Sequence, residues 1–470
     1  MNFLKNSLWS ILNIIGVQLV GLIVNVILAR LLYPEIFGIL GMAYVFAGFI
    51  IVFQDAGLSS YLIFKSTIDK RLINTTFVLN IFTSFLLAIF LLLTSDLVGG
   101  FYNEILVSKV IEVLSIGVAI GGLGITSRAL LIREKKFKVL TIIDVISEVS
   151  SSVVAIVLAI CHQDIWAVTS RLVIKPMFQT VILLLLYGKQ VVGKPSYRYI
   201  YEIIPYSSKF LGSQMFIYLN NNVDYLLIGK FLGSKSLGLY TMAYQWSVVA
   251  RQYISGAINR VIFPEVASLQ SDVEKVRKLY LMVISKVAFF TFPLCAGLLV
   301  VSREFIFFVY GDKWIEAVFP LQVLLVVGLV TSIGTLGGSI FNGLGKPQLE
   351  MRLNMGSFIF LTIMICILKD YGLNVLAIGI LVKTIIFDYI KVLLVNQQIK
   401  SNMWEFFESL KPSFLCTVIM VICLVIFKGL VSLENTSMLF LQICIGILIY
   451  FISTLIFNKE IILFLRKRKK

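Results

Sequence analysis

Histidine is almost absent from this chain of 470 residues, which contains only His162. Its scarcity argues against imidazole-based catalysis and against most zinc chemistry. Charged residues make up only 14% of the chain, whereas a soluble globular domain has about 25%. The composition therefore excludes an ordinary soluble enzyme.

The six cysteines lack the spacing of a metal site or of a redox motif. Each lies in or beside an apolar run, and no two form a CxxC pair. We interpret them as small hydrophobic residues in helices, not as disulfides or metal ligands. They are Cys161, Cys295, Cys366, Cys416, Cys423 and Cys444.

Apolar residues, in contrast, form 59% of the chain, and the mean hydropathy is +0.96. A membrane-spanning helix needs about 20 apolar residues. The sequence therefore predicts an all-α polytopic membrane protein with about 14 transmembrane helices, estimated from that length. The predicted spans are 8–28, 38–54, 75–95, 110–127, 139–160, 165–187, 206–228, 238–259, 281–301, 317–341, 353–368, 373–395, 412–427 and 437–457.

The basic residues predict the orientation of these spans. Lys and Arg number 41 against 25 Asp and Glu, a net charge of +16. Most of the basic residues between the apolar runs fall in alternate loops, which the positive-inside rule assigns to the cytoplasm. Both termini are then cytoplasmic, and the basic tail RKRKK is the last inside anchor or a contact for anionic lipid heads. This pattern does not indicate nucleic-acid binding.

An internal repeat relates the first part of the chain to the second. LARLLYPEIFGILGMAY (28–44) aligns without gaps on IGKFLGSKSLGLYTMAY (228–244), and 113–124 and 171–175 align on 324–335 and 379–383. Six spans separate the partners, so the repeats run parallel and are related by an axis along the membrane normal. We predict two six-helix lobes, 1–200 (spans 1–6) and 201–400 (spans 7–12), followed by 401–470 with two extra helices and the tail. The identical pairs are Leu32/Leu232, Gly38/Gly238, Met42/Met242, Ala43/Ala243 and Tyr44/Tyr244.

Four stretches carry a family resemblance: DYLLIGKFLGSKSLGLYTMAYQW (224–246), ILARLLYPEIFGIL (27–40), FQDAGLSSYLI (53–63) and FVYGDKWIEA (308–317). They resemble the polysaccharide-transport, Wzx-type flippase branch of the multidrug/oligosaccharidyl-lipid/polysaccharide exporter superfamily. The resemblance implies a V-shaped pair of lobes with a central cationic cavity. It implies alternating access that moves an undecaprenyl-diphosphate-linked oligosaccharide from the inner to the outer leaflet of the bacterial cytoplasmic membrane. The pathway would be that of O-antigen, capsule or another surface polysaccharide.

Cations inside the predicted spans are the main candidates for binding such a diphosphate. Arg171 and Lys175 share one face of span six, and counting at 1.5 Å per residue places them about 9 and 15 Å deep. Lys383, the repeat partner of Lys175, lies about 15 Å deep in span twelve. We predict that these three residues line one cavity. The alternative is that each forms a helix-to-helix tether with a carboxylate such as Glu148 or Asp388.

Further candidates have structural alternatives. Arg251 faces a cavity or extends to the interface, and Arg30 and Lys230 form an outer cationic rim or interfacial anchors. Asp144 and Glu148 take up H⁺ or Na⁺ or pair with the cations of span six. Pro176 should kink that span, and the glycines of 121–124 and 334–338 serve packing or bending. Polar residues that contact sugars or join helices are Gln18, Asn25, Asn220 and Asp224.

Two other functions compete with the flippase. A cation-coupled small-molecule exporter would favour acidic residues in its cavity, and a polymerase-type membrane enzyme would need larger extramembrane loops. We expect no catalytic residue, no bound metal and no cofactor, and we leave coupling to H⁺ or Na⁺ open. The expected partners are the lipid-linked oligosaccharide, membrane lipids and a polysaccharide polymerase or other assembly protein, with the chain itself a monomer.

Overall fold

The computed structural model describes residues 2–55, 57–65, 67–431 and 435–457, and the description below concerns these residues. They form helices joined by short turns, with no strand among them. The all-α prediction is therefore confirmed. The basic tail predicted at the C-terminus lies outside the described residues.

The described helices belong to two compact units, Met1–Gly238 and Leu239–Lys470. The first unit contains α1 (Asn2–Leu31), α2 (Pro34–Asp55), α3 (Leu58–Phe64), α4 (Lys70–Tyr102), α5 (Ile105–Arg133), α6 (Phe137–His162), α7 (Ile165–Thr169), α8 (Arg171–Val191) and most of α9 (Tyr197–Ala250). The second contains the end of α9, α10 (Gly256–Ser268), α11 (Val273–Val300), α12 (Ser302–Val309), α13 (Val318–Gly334), α14 (Leu336–Gly343), α15 (Pro347–Leu368), α16 (Gly372–Ile399), α17 (Met403–Leu430) and α18 (Asn435–Phe457). The predicted lobe boundary at 200/201 stays a prediction.

Nine helical segments among the described residues are long and apolar enough to cross a membrane, with windows of mean hydropathy between 1.4 and 2.5. Many of their apolar side chains are exposed along the helices, as lipid-facing side chains are. The chain is therefore a multi-pass membrane protein, while the count of fourteen spans stays a prediction.

The helix α9 (Tyr197–Ala250) consists of two helices that meet at Gly233 (φ 80°, ψ −178°), inside the loop predicted between 228 and 238. That backbone conformation is open to glycine and strained for other residues. The predicted spans 165–187 and 317–341 each lie within one apolar helical segment, Ile165–Val191 and Asp312–Gly343. Ser170, between α7 and α8, and Thr335, between α13 and α14, keep helical backbone angles.

The aligned repeat segments contact each other reciprocally inside the first unit. A Cβ built on Gly38 would lie 1.7 Å from the carbonyl oxygen of Ser234, and one built on Gly238 would lie 1.9 Å from that of Pro34. In the repeat, Gly38 aligns with Gly238 and Pro34 aligns with Ser234. The contact of Gly38 with Ser234 is therefore the repeat equivalent of the contact of Gly238 with Pro34. Reciprocity of this kind is the mark of two-fold symmetry. It supports the internal repeat at the level of single residues, while the parallel orientation of the repeats stays a prediction.

A polar cluster joins α3 and the start of α4 to the start of α9. The Lys65 ammonium lies 2.6 Å from Glu202 Oε2, which also accepts a hydrogen bond from Tyr61. The Tyr199 hydroxyl donates to Asp69 Oδ2 at 2.7 Å. We call these five residues the linker cluster, since they attach the segment between α8 and α9 to the first unit.

The linker cluster predicts a pH dependence. The hydrogen bond from Lys65 holds the pKa of Glu202 below its usual range and raises the pKa of Lys65. Hydrogen bonds from the Leu72 amide and from Tyr199 lower the pKa of Asp69. The two carboxylates therefore stabilise the fold above their unfolded-state pKa values and lose this effect as the pH falls through the folded-state values. The Lys65 contribution is present below its unfolded-state pKa and lost as the pH rises through the higher folded-state value.

Hydrogen exchange, corrected for intrinsic rates, should show the protection of residues 197–202 falling as the pH drops below about 4, the unfolded-state pKa of Asp and Glu. Glu202→Gln should show weaker protection at neutral pH and a flatter profile, because the residue no longer titrates. These side chains are exposed, so we expect a local effect rather than global unfolding. A wild-type profile independent of pH would contradict the prediction.

A charged cluster within the first unit

Two cations meet the Glu148 carboxylate, which is buried where α6 packs against α1 and α8. The Arg171 guanidinium donates to Oε1, and the Lys175 ammonium lies 2.6 Å from Oε2. Arg171 also donates to Asn25 Oδ1 at 3.1 Å. The predicted pairing of span six with Glu148 is thus present for both cations, whose four-residue spacing places them on one face of α8.

Asp144, one turn before Glu148, is surrounded by donors. The two terminal nitrogens of Arg128 donate to its two oxygens at 2.6 and 2.7 Å. Asn13 and Gln179 donate to the same carboxylate at 2.9 and 3.0 Å. A bidentate guanidinium pair is among the stronger ion pairs in proteins. The carboxylate is therefore matched in charge and rich in hydrogen bonds.

Pro176 shapes the helix that carries the cations. Because proline has no N–H, the carbonyl of Leu172 loses its partner within the helix. That carbonyl packs against α5 at Gly117, where an added Cβ would lie 2.1 Å from the oxygen. Pro176 lies inside α8, and the kink predicted there stays a prediction.

A cavity of about 410 Å³ opens beside these residues. Arg128, Asp144, Lys175 and Gln179 provide polar groups to its wall. The side chains of Arg128 and Lys175 are 39% and 36% exposed, whereas those of Asp144 and Glu148 are 6% and 3% exposed. Arg128 and Lys175 are thus accessible, whereas the two carboxylates are covered. We call the five charged residues Arg128, Asp144, Glu148, Arg171 and Lys175 the first-unit cluster.

Tyr44 is an exposed residue on an otherwise well-covered stretch of α2. Its neighbours Met42, Ala43 and Val45 are buried, but Tyr44 is 46% exposed. It lies close enough to Arg171 and Glu148 for electrostatic interaction. The Tyr44 side chain therefore lies near the first-unit cluster.

The second unit has its own charged cluster around Asp388. The Lys391 ammonium lies 3.5 Å from Oδ1 of Asp388, and both side chains are largely covered. Lys383 and Arg251 are near enough to interact electrostatically with the same carboxylate. Asp388 packs on Gly334, where a Cβ would lie 2.3 Å from its oxygen. Asp388 is thus paired with Lys391, and close packing explains this glycine without a bending role.

Arg251 and the remaining predicted residues have varied surroundings. Arg251 begins a π-helical turn, Arg251–Ser255, and approaches the Tyr244 hydroxyl at 3.5 Å. Lys230 donates to the carbonyl of Phe101 at the end of α4 and stacks on the Phe101 ring. This contact fits a helix-terminus anchor. Arg30 and Gln18 are exposed, Asn220 is half-buried, and Asp224 is buried with its carboxylate on the Tyr225 amide.

An apolar groove of about 870 Å³ lies in the second unit, among α11, α13, α16 and α17. Phe292, Val330, Ile385, Phe407 and Phe414 contribute to its wall. Lys411 and Glu408 also border the groove. Its surface suits a long hydrocarbon more than a polar ligand.

The sequence predictions give Arg128, Gln179 and Tyr44 no role in the site. Arg128 follows the predicted span 110–127, but α5 continues to Arg133 and places it inside the unit. A usable signal was the apolar run 129–132 directly after it. For Tyr44 the signal was its identity with Tyr244 in the repeat.

Residues 27–319 match the model of the protein family described as polysaccharide biosynthesis protein. The chain is 26% identical over 365 residues to the lipopolysaccharide biosynthesis protein WzxC of Escherichia coli, covering 76% of this chain and 73% of WzxC. It is 28% identical over 400 residues to the teichuronic acid biosynthesis protein TuaB of Bacillus subtilis, covering 82% and 80%.

Its fold resembles the inward closed conformation of the lipid II flippase MurJ. The TM-score is 0.75 at 16% identity, covering 97% of this chain and 99% of MurJ. The predicted family is thereby confirmed. With its family match, its helical fold and its membrane-embedded charges, the chain belongs to the polysaccharide biosynthesis protein family.

Proposed function

We propose that this protein is a flippase that moves an undecaprenyl-diphosphate-linked oligosaccharide from the inner to the outer leaflet of the bacterial cytoplasmic membrane. Alternating access would expose the polar head of the substrate first to one side and then to the other. No bond of the substrate breaks, so the residues bind and release rather than catalyse. Both termini would be cytoplasmic, in keeping with the basic loops.

The charge balance of the first-unit cluster carries this proposal. Arg128, Arg171 and Lys175 accompany only two carboxylates, Asp144 and Glu148. One positive charge is in excess beside a cavity, and intramembrane charges usually mark a substrate path. An anionic ligand would compensate that charge. A diphosphate supplies such an anion, whereas a cationic drug would not.

The apolar tail of the substrate needs a separate surface. A polyprenyl chain loses nothing by leaving lipid for another hydrocarbon environment, so an apolar groove open along helices is sufficient. The groove of the second unit provides such a surface. We propose that it accompanies the tail, with the second charged cluster around Asp388 and Lys383 providing further contacts to the polar head.

Lys175→Gln and Lys383→Gln should each lower the flipping rate of an undecaprenyl-diphosphate-linked sugar in vesicles by about tenfold or more, the loss expected for one charged contact. Flipping is measured as the fraction of sugar that becomes available to an impermeant enzyme outside the vesicle. Lys109→Gln serves as the matched control, because Lys109 forms an exposed pair with Glu112. Unchanged flipping by the Lys175→Gln, Lys383→Gln double variant would refute the assignment.

A further inference from the structure

We infer that Glu148 competes with the anionic ligand for Lys175. In this structure Glu148 pairs with Lys175. When the diphosphate binds, Lys175 pairs with the diphosphate instead, while Arg171 stays paired with Glu148. Lys175 is then the exchangeable cation and Arg171 a positioning residue. The inference rests on the proposed function for the identity of the ligand, but not for the exchange itself.

Arg171 has the surroundings of a fixed residue. Its side chain is 15% exposed and bonds both to Glu148 and to Asn25 on α1. It does not line the cavity beside the first-unit cluster. Removing it from Glu148 would break two contacts and leave a nearly buried carboxylate with one cation fewer. That cost is large for buried ion pairs.

Lys175 has the surroundings of a movable residue. Its side chain is 36% exposed and lines the cavity. Although its ammonium is 2.6 Å from Glu148 Oε2, that oxygen receives no well-aligned hydrogen bond. A lysine ammonium is a point charge on a flexible stem, so it can change partner without the geometric loss that a guanidinium fork would suffer.

The nearby Asp144 does not retain Lys175. Arg128 matches its charge in a bidentate pair, and Asn13 and Gln179 supply two more hydrogen bonds. Lys175 is therefore the one cation of the first-unit cluster whose departure leaves both carboxylates with a guanidinium partner. The exchange leaves each carboxylate of the cluster with a guanidinium partner before and after the ligand binds, which limits the cost of an empty site in the membrane.

The test measures binding of inorganic pyrophosphate to the full-length protein in lipid nanodiscs. Glu148→Gln removes the competitor and should bind pyrophosphate roughly three- to tenfold more tightly than wild type, as loss of one ion pair predicts. Lys175→Gln should bind at least about tenfold more weakly. Glu112→Gln is the matched control, because it breaks an exposed Lys–Glu pair in the same unit; it should bind as wild type does.

Glu148→Asp covers the case in which Glu148→Gln does not fold. The shorter side chain keeps its charge beside Arg171 but withdraws from Lys175, so it should also tighten pyrophosphate binding. Equal or weaker binding by the folded Glu148 variant, or wild-type binding by Lys175→Gln, would overturn the exchange. Failure of flipping with the binding pattern intact would count against the proposed substrate alone, whereas flipping without that pattern would count against the exchange alone.

Discussion

Alanine at Gly38 or Gly238 should lower the thermal stability of the protein markedly. The added Cβ would lie 1.7 Å from Ser234 O in one case and 1.9 Å from Pro34 O in the other, and both obstacles are backbone atoms that no rotamer change can move. The two helices must separate, at a cost of about 1–3 kcal/mol or more for overpacking. This cost exceeds the gain of up to about 1 kcal/mol in helix propensity from glycine to alanine.

Because the contact is reciprocal, the Gly38→Ala, Gly238→Ala double variant should cost less than the sum of the single variants. Once one methyl group has separated the helices, the second enters a gap that already exists. The measurement is the midpoint of thermal unfolding in detergent, followed by size-exclusion chromatography. Gly100→Ala and Gly188→Ala are controls, since a Cβ at either helical position meets nothing within 4 Å. Additive losses would show that the two glycines do not share one contact.

The repeat, which the sequence revealed, predicted that Gly38 and Gly238 are equivalent but not that each packs on a backbone carbonyl of the other repeat segment. Sequence identity gives equivalence of position, whereas a close contact depends on how two helices cross.

For the charged residues, too, the position in the chain was predictable but the contact partner was not. Hydropathy identified Arg171, Lys175 and Lys383 as unusual, because each is a charge within an apolar run. Their partners were less predictable: Glu148 and Asp388 were only alternatives to the cavity, and Asp388 is paired with Lys391, three residues away on its own helix. Partner choice depends on which helices pack together, and hydropathy carries little information about packing.

Loss of Arg128 should have the other large effect on stability. Arg128→Met removes the bidentate partner of Asp144, whose side chain is 6% exposed, and leaves a nearly buried carboxylate with two neutral donors. Removing one partner of a buried ion pair typically costs about 3–5 kcal/mol, and we expect a smaller loss here because the Arg128 side chain is 39% exposed. The thermal midpoint should therefore fall clearly, and Arg128→Lys should lie between wild type and Arg128→Met because lysine lacks the planar fork.

The Arg128→Met, Asp144→Leu double variant distinguishes this cause from loss of packing. With both charges removed, no uncompensated carboxylate remains, and apolar replacements of a buried pair are often neutral. We expect the double variant to regain much of the stability that Arg128→Met loses. Lys109→Met and its combination with Glu112→Leu form the matched control, because that pair is exposed and worth about 0–1 kcal/mol. If the Arg128 and Asp144 losses simply add, the pair does not stabilise the first unit through charge, and Arg128 would then act through the packing of its side-chain stem alone.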